Sequence, residues 1–322
     1  MHLHVLLLAL VLAGAGTVRA GPPIPVSCGE TIIAPGSYAL AASCTCTGNG
    51  ACIKVTADGV TLTLDDKTIN CAPTQPPPAA NDTTYGVQAS DVRDFTLIGS
   101  DPSTPSSEGR ITGCYMGLQA GNSKKVFVDS VDFSGNTYVG VNTAFSTDVS
   151  LNSNVVDGIG GYIGRDRRNG YAIAFNGCGT RCAMTSNIVR NIRTQKDAVK
   201  GARGEGVGIV VPAGAKAVVI SYNWLESENE DSRAIGIHLS DGASAKIENN
   251  TITGFWQAIT GTGAMTVTNN RLVRHKLSAY ADSFAIFSED QASGCASRNV
   301  IVRYRGALGP AIRDCGRNLV VR

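Results

Sequence analysis

Residues 235–252 read Ile-Gly-Ile-His-Leu-Ser-Asp-Gly-Ala-Ser-Ala-Lys-Ile-Glu-Asn-Asn-Thr-Ile. The stretch holds three short runs of strand-like alternation: Ile235-Gly236-Ile237-His238-Leu239, Ala245-Lys246-Ile247 and Thr251-Ile252. Runs this short, joined by turns this tight, cannot fold as separate hairpins. They can coil, so that each strand lies parallel on its equivalent one turn later, about 4.8 Å away. The aliphatic positions then form columns that fill a continuous interior.

Outward from this unit, the same pattern recurs along the chain. A small residue followed by an aliphatic one appears as Gly86-Val87, Gly117-Leu118, Gly140-Val141, Ala172-Ile173, Gly208-Ile209, Gly236-Ile237, Ala258-Ile259, Ala285-Ile286 and Ala311-Ile312. A second motif, apolar-x-apolar-x-x-Asn-x-apolar, interleaves with these anchors, as in Val149 to Val156, Val218 to Leu225, Ala245 to Ile252 and Met265 to Leu272. Repetition at a period of a few tens of residues marks a solenoid. Asn154, Asn187, Asn223, Asn250, Asn270 and Asn299 fall at equivalent slots. Asparagine tolerates the left-handed backbone of a tight bend and can pass amide hydrogen bonds from rung to rung. These asparagines are therefore read as structural, not as sugar ligands.

Charge and composition narrow the function classes. A formal net charge of +2 leaves no electrostatic footprint for nucleic acid. Residues 1–20 read as a secretory signal: the apolar run from Val5 to Ala15 is too short to span a bilayer, and Val18-Arg19-Ala20 precedes Gly21 as a cleavage site. No later stretch is apolar enough to cross a membrane, so a secreted or extracellular location is expected, or the periplasm of a bacterium. Ten cysteines in an exported chain point to disulfides. Cys178 with Cys182 and Cys295 with Cys315 are the expected pairs. Cys28, Cys44, Cys46, Cys52, Cys71 and Cys114 leave many connectivities open. A zinc site at Cys44, Cys46 and Cys52 is the weaker alternative, because no histidine lies nearby.

Combining Gly-Ile-x-Leu with Ile-x-x-Asn-x-Ile, the chain resembles the right-handed parallel β-helix repeat of the pectate-lyase-like superfamily, over roughly residues 53–320. The resemblance implies an all-β, single-stranded parallel β-helix of about ten rungs. Residues 21–52 are expected to form a cysteine-rich N-terminal cap and residues 53–322 the solenoid. Within it, Asp65-Asp66 looks like a turn. The default chemistry that the resemblance implies is on carbohydrates. Yet the Asp-Asp and Gly-His-Gly constellation of polygalacturonases is missing, as are the Arg-x-Pro-x-x-Arg stretch of pectate lyases and the Tyr-Gly-x-Asp-Pro-His motif of mannuronan epimerases. No catalytic residue carries over, and fold alone does not establish function.

Candidate site residues come instead from rung registry. The loop that enters the anchor strand is enlarged at Asp157–Tyr171, Arg190–Val207, Glu226–Ile235 and Val273–Phe284, and stacked insertions on one wall of a solenoid mark a binding face. These loops carry Arg165 to Arg168, then Lys196, Lys200, Arg203 and Glu205, then Glu226, Glu228, Glu230, Asp231 and Arg233, and finally Arg274, His275, Lys276 and Asp282. Five residues before the anchor, Arg203 stacks over Asp231; three before it, Glu205 stacks over Arg233. This registry describes either an ion-pair ladder or the rim of an active site. His238, next to inward Ile237, points outward by strand alternation, in one column with Gln88, Gln119 and Asn142.

Two functions are expected from this pattern. In the first, the protein acts on an acidic polysaccharide by elimination. Arg167 and Arg168 would then hold carboxylates with Arg203, Lys200 or His238 would move the proton, and Glu205, Asp231 and Arg233 would serve as substrate-binding partners. Calcium is a candidate cofactor, and a monomer is expected. In the second, the solenoid is a non-catalytic glycan binder, adhesin or structural protein. Hydrolysis through Glu226, Glu228, Glu230 and Asp231 is a minor third reading.

Overall fold

The computed structural model describes residues 21–71, 84–100, 109–160, 170–192, 206–227, 234–275, 283–288, 294–309 and 311–321. Their strands form three sheets of twelve, eleven and eleven strands, in which each strand pairs with its equivalent one turn on. All these pairings are parallel, as in Ile209 beside Ile237 and Ile247 beside Val267. The chain is a parallel β-helix.

Three aliphatic columns explain why the coil closes. On the anchor sheet, Val87, Leu118, Val141, Ile173, Ile209, Ile237, Ile259 and Ile286 stand in register. The middle sheet contributes Leu97, Val128, Leu151, Met184, Ile220, Ile247 and Val267. The third contributes Val156, Val189, Leu225, Ile252, Leu272 and Ile301. These side chains are buried in one continuous core. Burial of that size along the whole axis is the main term favouring the fold.

The anchor pair is small-then-aliphatic for a geometric reason. Both of its residues face the interior, as the fully buried pairs Ala172-Ile173 and Ala258-Ile259 demonstrate. Alternation breaks there, and the first residue meets the neighbouring rung at close range. A Cβ built on Gly236 would lie 2.5 Å from the Ala258 carbonyl oxygen, and one on Gly208 would lie 2.6 Å from that of Gly236. The last expected anchor is corrected. Leu308 sits under Ile286 on the anchor sheet, whereas Ile312 pairs with Gly294 on the middle sheet. Ala307-Leu308 is thus the final anchor. A compressed turn, closed by the Ile312 amide donating to the Gly309 carbonyl, brings the next small-aliphatic pair in only four residues later.

The asparagines are structural, by a mechanism that differs from expectation in one respect. Asn154, Asn187, Asn223, Asn250, Asn270 and Asn299 are buried. Each side-chain amide donates to the Oδ1 of the next at 2.9–3.1 Å, and the series runs on to Asn318. Each Oδ1 also accepts a backbone N–H, as Asn223 does from Asn187 at 2.9 Å. The left-handed residue is not the asparagine but the one before it: Ser153, Ser186, Tyr222, Asn249, Asn269, Arg298 and Arg317 have φ of 52° to 64°. That residue turns the chain, so the asparagine can aim inward and satisfy amides that the bend would otherwise orphan. Asp65 and Asp66 form a turn, with φ of 54° and 63°.

All ten cysteines are paired: Cys28–Cys44, Cys46–Cys52, Cys71–Cys114, Cys178–Cys182 and Cys295–Cys315. The last two are the pairs expected from sequence. The Sγ atoms of Cys28, Cys46 and Cys52 lie within 4.8 Å of one another, but each is engaged in a disulfide, so this cluster offers no thiolate to zinc. The cysteine-rich N-terminus is itself wound into the sheets through strands Ile24–Val26, Thr31–Ile32, Gly36–Leu40, Cys44–Cys46 and Gly50–Val55.

Candidate functional site

The outer face of the anchor sheet is the place to which the sequence directs attention. His238 lies on strand Ile235–Leu239, between Val210 on one neighbouring strand and Thr260 on the other. Ile237 and Leu239 are fully buried in the core, whereas His238 is half-buried on the outside. The break in alternation at Gly236 is what turns it outward. Gln88, Gln119 and Asn142 occupy the same outward column, as expected.

Two ladders organise the upstream half of this face. The Asn142 amide donates to Gln119 Oε1 at 2.7 Å, and the Asn176 amide donates to Asn142 Oδ1 at 2.8 Å. Beside them, Tyr115 stacks on Tyr138 with ring centroids 4.8 Å apart, and Tyr138 meets Tyr171 edge-on at 5.7 Å. Offset and edge contacts of this kind fix the rings beyond what burial alone would do. Asn142 and Tyr115 are buried and brace the ladders, whereas the half-buried Gln119, Asn176, Tyr138 and Tyr171 keep surface that can hydrogen-bond hydroxyls and pack against the apolar face of a sugar ring.

The same face also carries an apolar patch. Val139, Ala174, Val207, Val210, Ile235 and Trp256 form a second buried cluster outside the core, with Met116, Tyr138 and Tyr171 packed against it. The signal was present in sequence. Before the five anchors from Gly117 to Gly236 stand Met116, Val139, Tyr171, Val207 and Ile235, an apolar column that faces outward. The charges of the neighbouring loops are the more conspicuous signal, and the apolar column stands beside them.

Of the proposed site residues, only His238 lies within the described residues. Arg167, Arg168, Lys200, Arg203, Glu205, Asp231 and Arg233 fall outside them, and with them both expected ion pairs. Arg274, grouped with the rim charges by sequence, is instead buried at 2% exposure. Its Nη1 lies 3.4 Å from both the Phe255 carbonyl oxygen and Ser283 Oγ, so it ties Ser283 to the turn at Phe255. His275 is exposed, and its carbonyl oxygen accepts a hydrogen bond from Arg303 Nη1. Phe255, in the column of Glu205 and Arg233, is fully buried.

A second concavity, of about 690 Å³, opens beside the third sheet and is lined by Arg110, Asp132, Asp157 and Arg190 among others. Sequence analysis did not single it out. Arg110 pairs with Asp132 and Arg190 with Asp157, both at 3.2 Å, and the Asn191 amide donates to Asp157 at 3.0 Å. With each carboxylate already matched to a guanidinium, these partly exposed pairs read as rung-to-rung ties.

No protein-family model matches the sequence, and no curated protein does either. Among solved structures, the periplasmic alginate epimerase AlgG is similar at 11% identity and a TM-score of 0.47, over 93% of this chain and 76% of that one. The Dettilon tailspike protein follows at 10% identity and a TM-score of 0.41, over 88% of this chain and 60% of that one. An alginate lyase from Paenibacillus gives 10% identity and a TM-score of 0.30, over 84% and 90%. These likenesses are too distant to bring any residue or activity with them. Among the described residues, no helix is long and apolar enough to cross a membrane.

Proposed function

We propose that this protein acts outside the cytoplasm on an acidic polysaccharide, which it engages on the outer face of the anchor sheet. The observation that carries this reading is the presence on one sheet face of the Gln119–Asn142–Asn176 amide ladder, the Tyr115–Tyr138–Tyr171 rings and, three rungs beyond Asn142, His238. Amides and rings on the upstream rungs, with His238 further along beyond Ala174 and Val210, spread polar and aromatic groups over several rungs, which suits a long, hydroxyl-rich ligand. Five disulfides that use every cysteine suit an oxidising compartment.

Elimination is favoured over hydrolysis. In that chemistry the uronate carboxylate must be neutralised while a base removes the C5 proton; the freed electron pair forms the C4=C5 double bond, the glycosidic C4–O bond breaks, and the leaving oxygen takes up a proton. Arg167, Arg168 and Arg203 supply the neutralising cations, with calcium as an alternative. His238 or Lys200 takes the proton, and Glu205, Asp231 and Arg233 line the substrate. The test is incubation of the mature protein with alginate, pectate and glycosaminoglycans, with and without calcium. Release of unsaturated, ultraviolet-absorbing ends that His238→Ala or Arg203→Ala abolishes is the expected result. Silence across that panel sinks the enzymatic reading.

A second reading, a non-catalytic glycan binder, is favoured by the buried apolar cluster of Val139, Val207, Val210 and Ile235 on the same face. It predicts binding without turnover that survives His238→Ala.

A further inference from the structure

The corner between the middle and third sheets carries features that folding does not require. The residue before each ladder asparagine must adopt positive φ and point into solvent. Serine or asparagine suits that position, as at Ser153, Ser186, Asn249 and Asn269. Tyr222 holds it instead, with φ of 58° and 63% exposure. A bulky aromatic is disfavoured in left-handed backbone, and an exposed one recovers nothing by burial. Two residues on, Trp224 points outward from the third sheet at 48% exposure. The pair therefore contradicts both local propensity and burial, a mismatch that points to a binding role.

Further along the axis the same corner turns cationic. Below Tyr222 the turn column runs Asn249, Asn269, Arg298 and Arg317. Below Trp224 the third-sheet column runs Thr251 and then Arg271. Arg271, Arg298 and Arg317 are exposed, and among the described residues none forms an ion pair with a carboxylate. Arg298 and Arg317 also hold positive φ, at 55° and 64°.

We infer that this corner is a second glycan-binding track, separate from the anchor face, on which an anionic polysaccharide lies along the solenoid axis. Tyr222 and Trp224 stack against the apolar faces of sugar rings. Arg271, Arg298 and Arg317 take the carboxylates or sulfates of following residues in forked hydrogen bonds. Rung-to-rung stacking, about 4.8 Å per turn, presents these groups in a line, as a linear polymer requires. The track holds polymer and does no chemistry.

Tryptophan fluorescence of the full mature chain tests this directly. Trp224 and Trp256 are the two tryptophans, and Trp256 is buried, so a neutral water-soluble quencher reports mainly on Trp224. Oligouronate or a sulfated oligosaccharide should shield Trp224 from quenching, whereas a neutral glucan of equal length should shield it far less. Whichever anionic sugar shields better identifies the acid group. Arg298→Ala combined with Arg317→Ala should weaken that binding about tenfold, as expected of two solvent-facing pairs. Tyr222→Ser, which installs the residue native to the column, should weaken it without lowering the melting temperature. Equal shielding by neutral glucan, equal shielding by duplex DNA, or no shielding by either anionic sugar overturns the proposal. So does loss of shielding in folded His238→Ala, since that would move the contact to the anchor face. If turnover is absent while shielding obeys this pattern, the anchor-face reading fails alone.

Discussion

Two corners of the solenoid follow opposite rules. At the asparagine corner the turn repeats rung after rung, one left-handed residue followed by one buried asparagine. At the corner that leads into the anchor sheet, three residues (254–256) suffice in one rung, while fifteen (191–205) intervene in another. The difference lies in what each corner must satisfy. The asparagine amides serve backbone groups of their own rung and of its neighbours, so a change of length in one rung orphans groups in others. At the other corner, loop length adds closure entropy only slowly. Invariance thus follows the hydrogen-bond network of the asparagine ladder, and freedom of length lies at the corner that the ladder does not reach.

The contrast can be broken most severely at the ladder. Asn223→Ala removes the acceptor of the Asn187 amide and the donors to the Met184 and Ser221 carbonyls, at 2.9, 3.1 and 3.0 Å. We expect a loss of about 4 kcal/mol in urea unfolding, the sum of several buried groups left unmatched. Next comes the C-terminal described rung, where Cys295–Cys315 joins strands Gly294–Ser297 and Ile312–Gly316 of the middle sheet. Replacing both cysteines by serine should cost about 3 kcal/mol and speed amide exchange in Leu319–Val321 first. An unchanged exchange pattern would mean that the ladder alone holds the last rung. Third, Gly236→Val on the anchor strand forces a Cβ against the Ala258 carbonyl and Ile252. About 2 kcal/mol should be lost, read from the denaturation midpoint. The smallest effect on stability is expected at His238. Its substitution by alanine should shift unfolding by no more than about 0.5 kcal/mol while turnover of acidic polysaccharide disappears. A large loss of stability there would reassign the histidine to packing.

Much of this architecture was legible because inward positions repeat at a fixed period that a coil alone explains. Val87 to Ile286 could be aligned by eye, and the structure stacks them in that order. What escaped was whatever depends on distance or on which of two adjacent residues bends. The asparagines' known tolerance of left-handed backbone pointed to them, yet Ser153, Ser186 and Tyr222 make the bend, because only then can the amide face inward. The pairing of Cys28 with Cys44 and Cys46 with Cys52 depends on how the first strands wind, which spacing does not encode. Ala311-Ile312 imitated an anchor because pattern alone cannot tell which sheet a short strand joins. Of the site, the outward column of His238 was readable, since it needs only the parity of the strand. The outer apolar cluster was equally readable in Val139, Tyr171, Val207 and Ile235, but attention to charge concealed it.

The asparagine ladder also has a direction. From Asn154 to Asn299 each side-chain NH2 donates to the Oδ1 of the next asparagine toward the C-terminal end, besides serving carbonyls of the rung before, so the amide dipoles add head to tail as peptide groups do in an α-helix. At the positive pole of that array the final acceptor is not another amide but the Asp314 carboxylate, 2.7 Å from Asn318 Nδ2 and 2.8 Å from the Gly316 amide nitrogen. A negative charge there neutralises the accumulated partial charge. The two ends of the solenoid are therefore electrically distinct, and trimming rungs from the Asp314 end strips a counter-charge that trimming from the other end leaves in place.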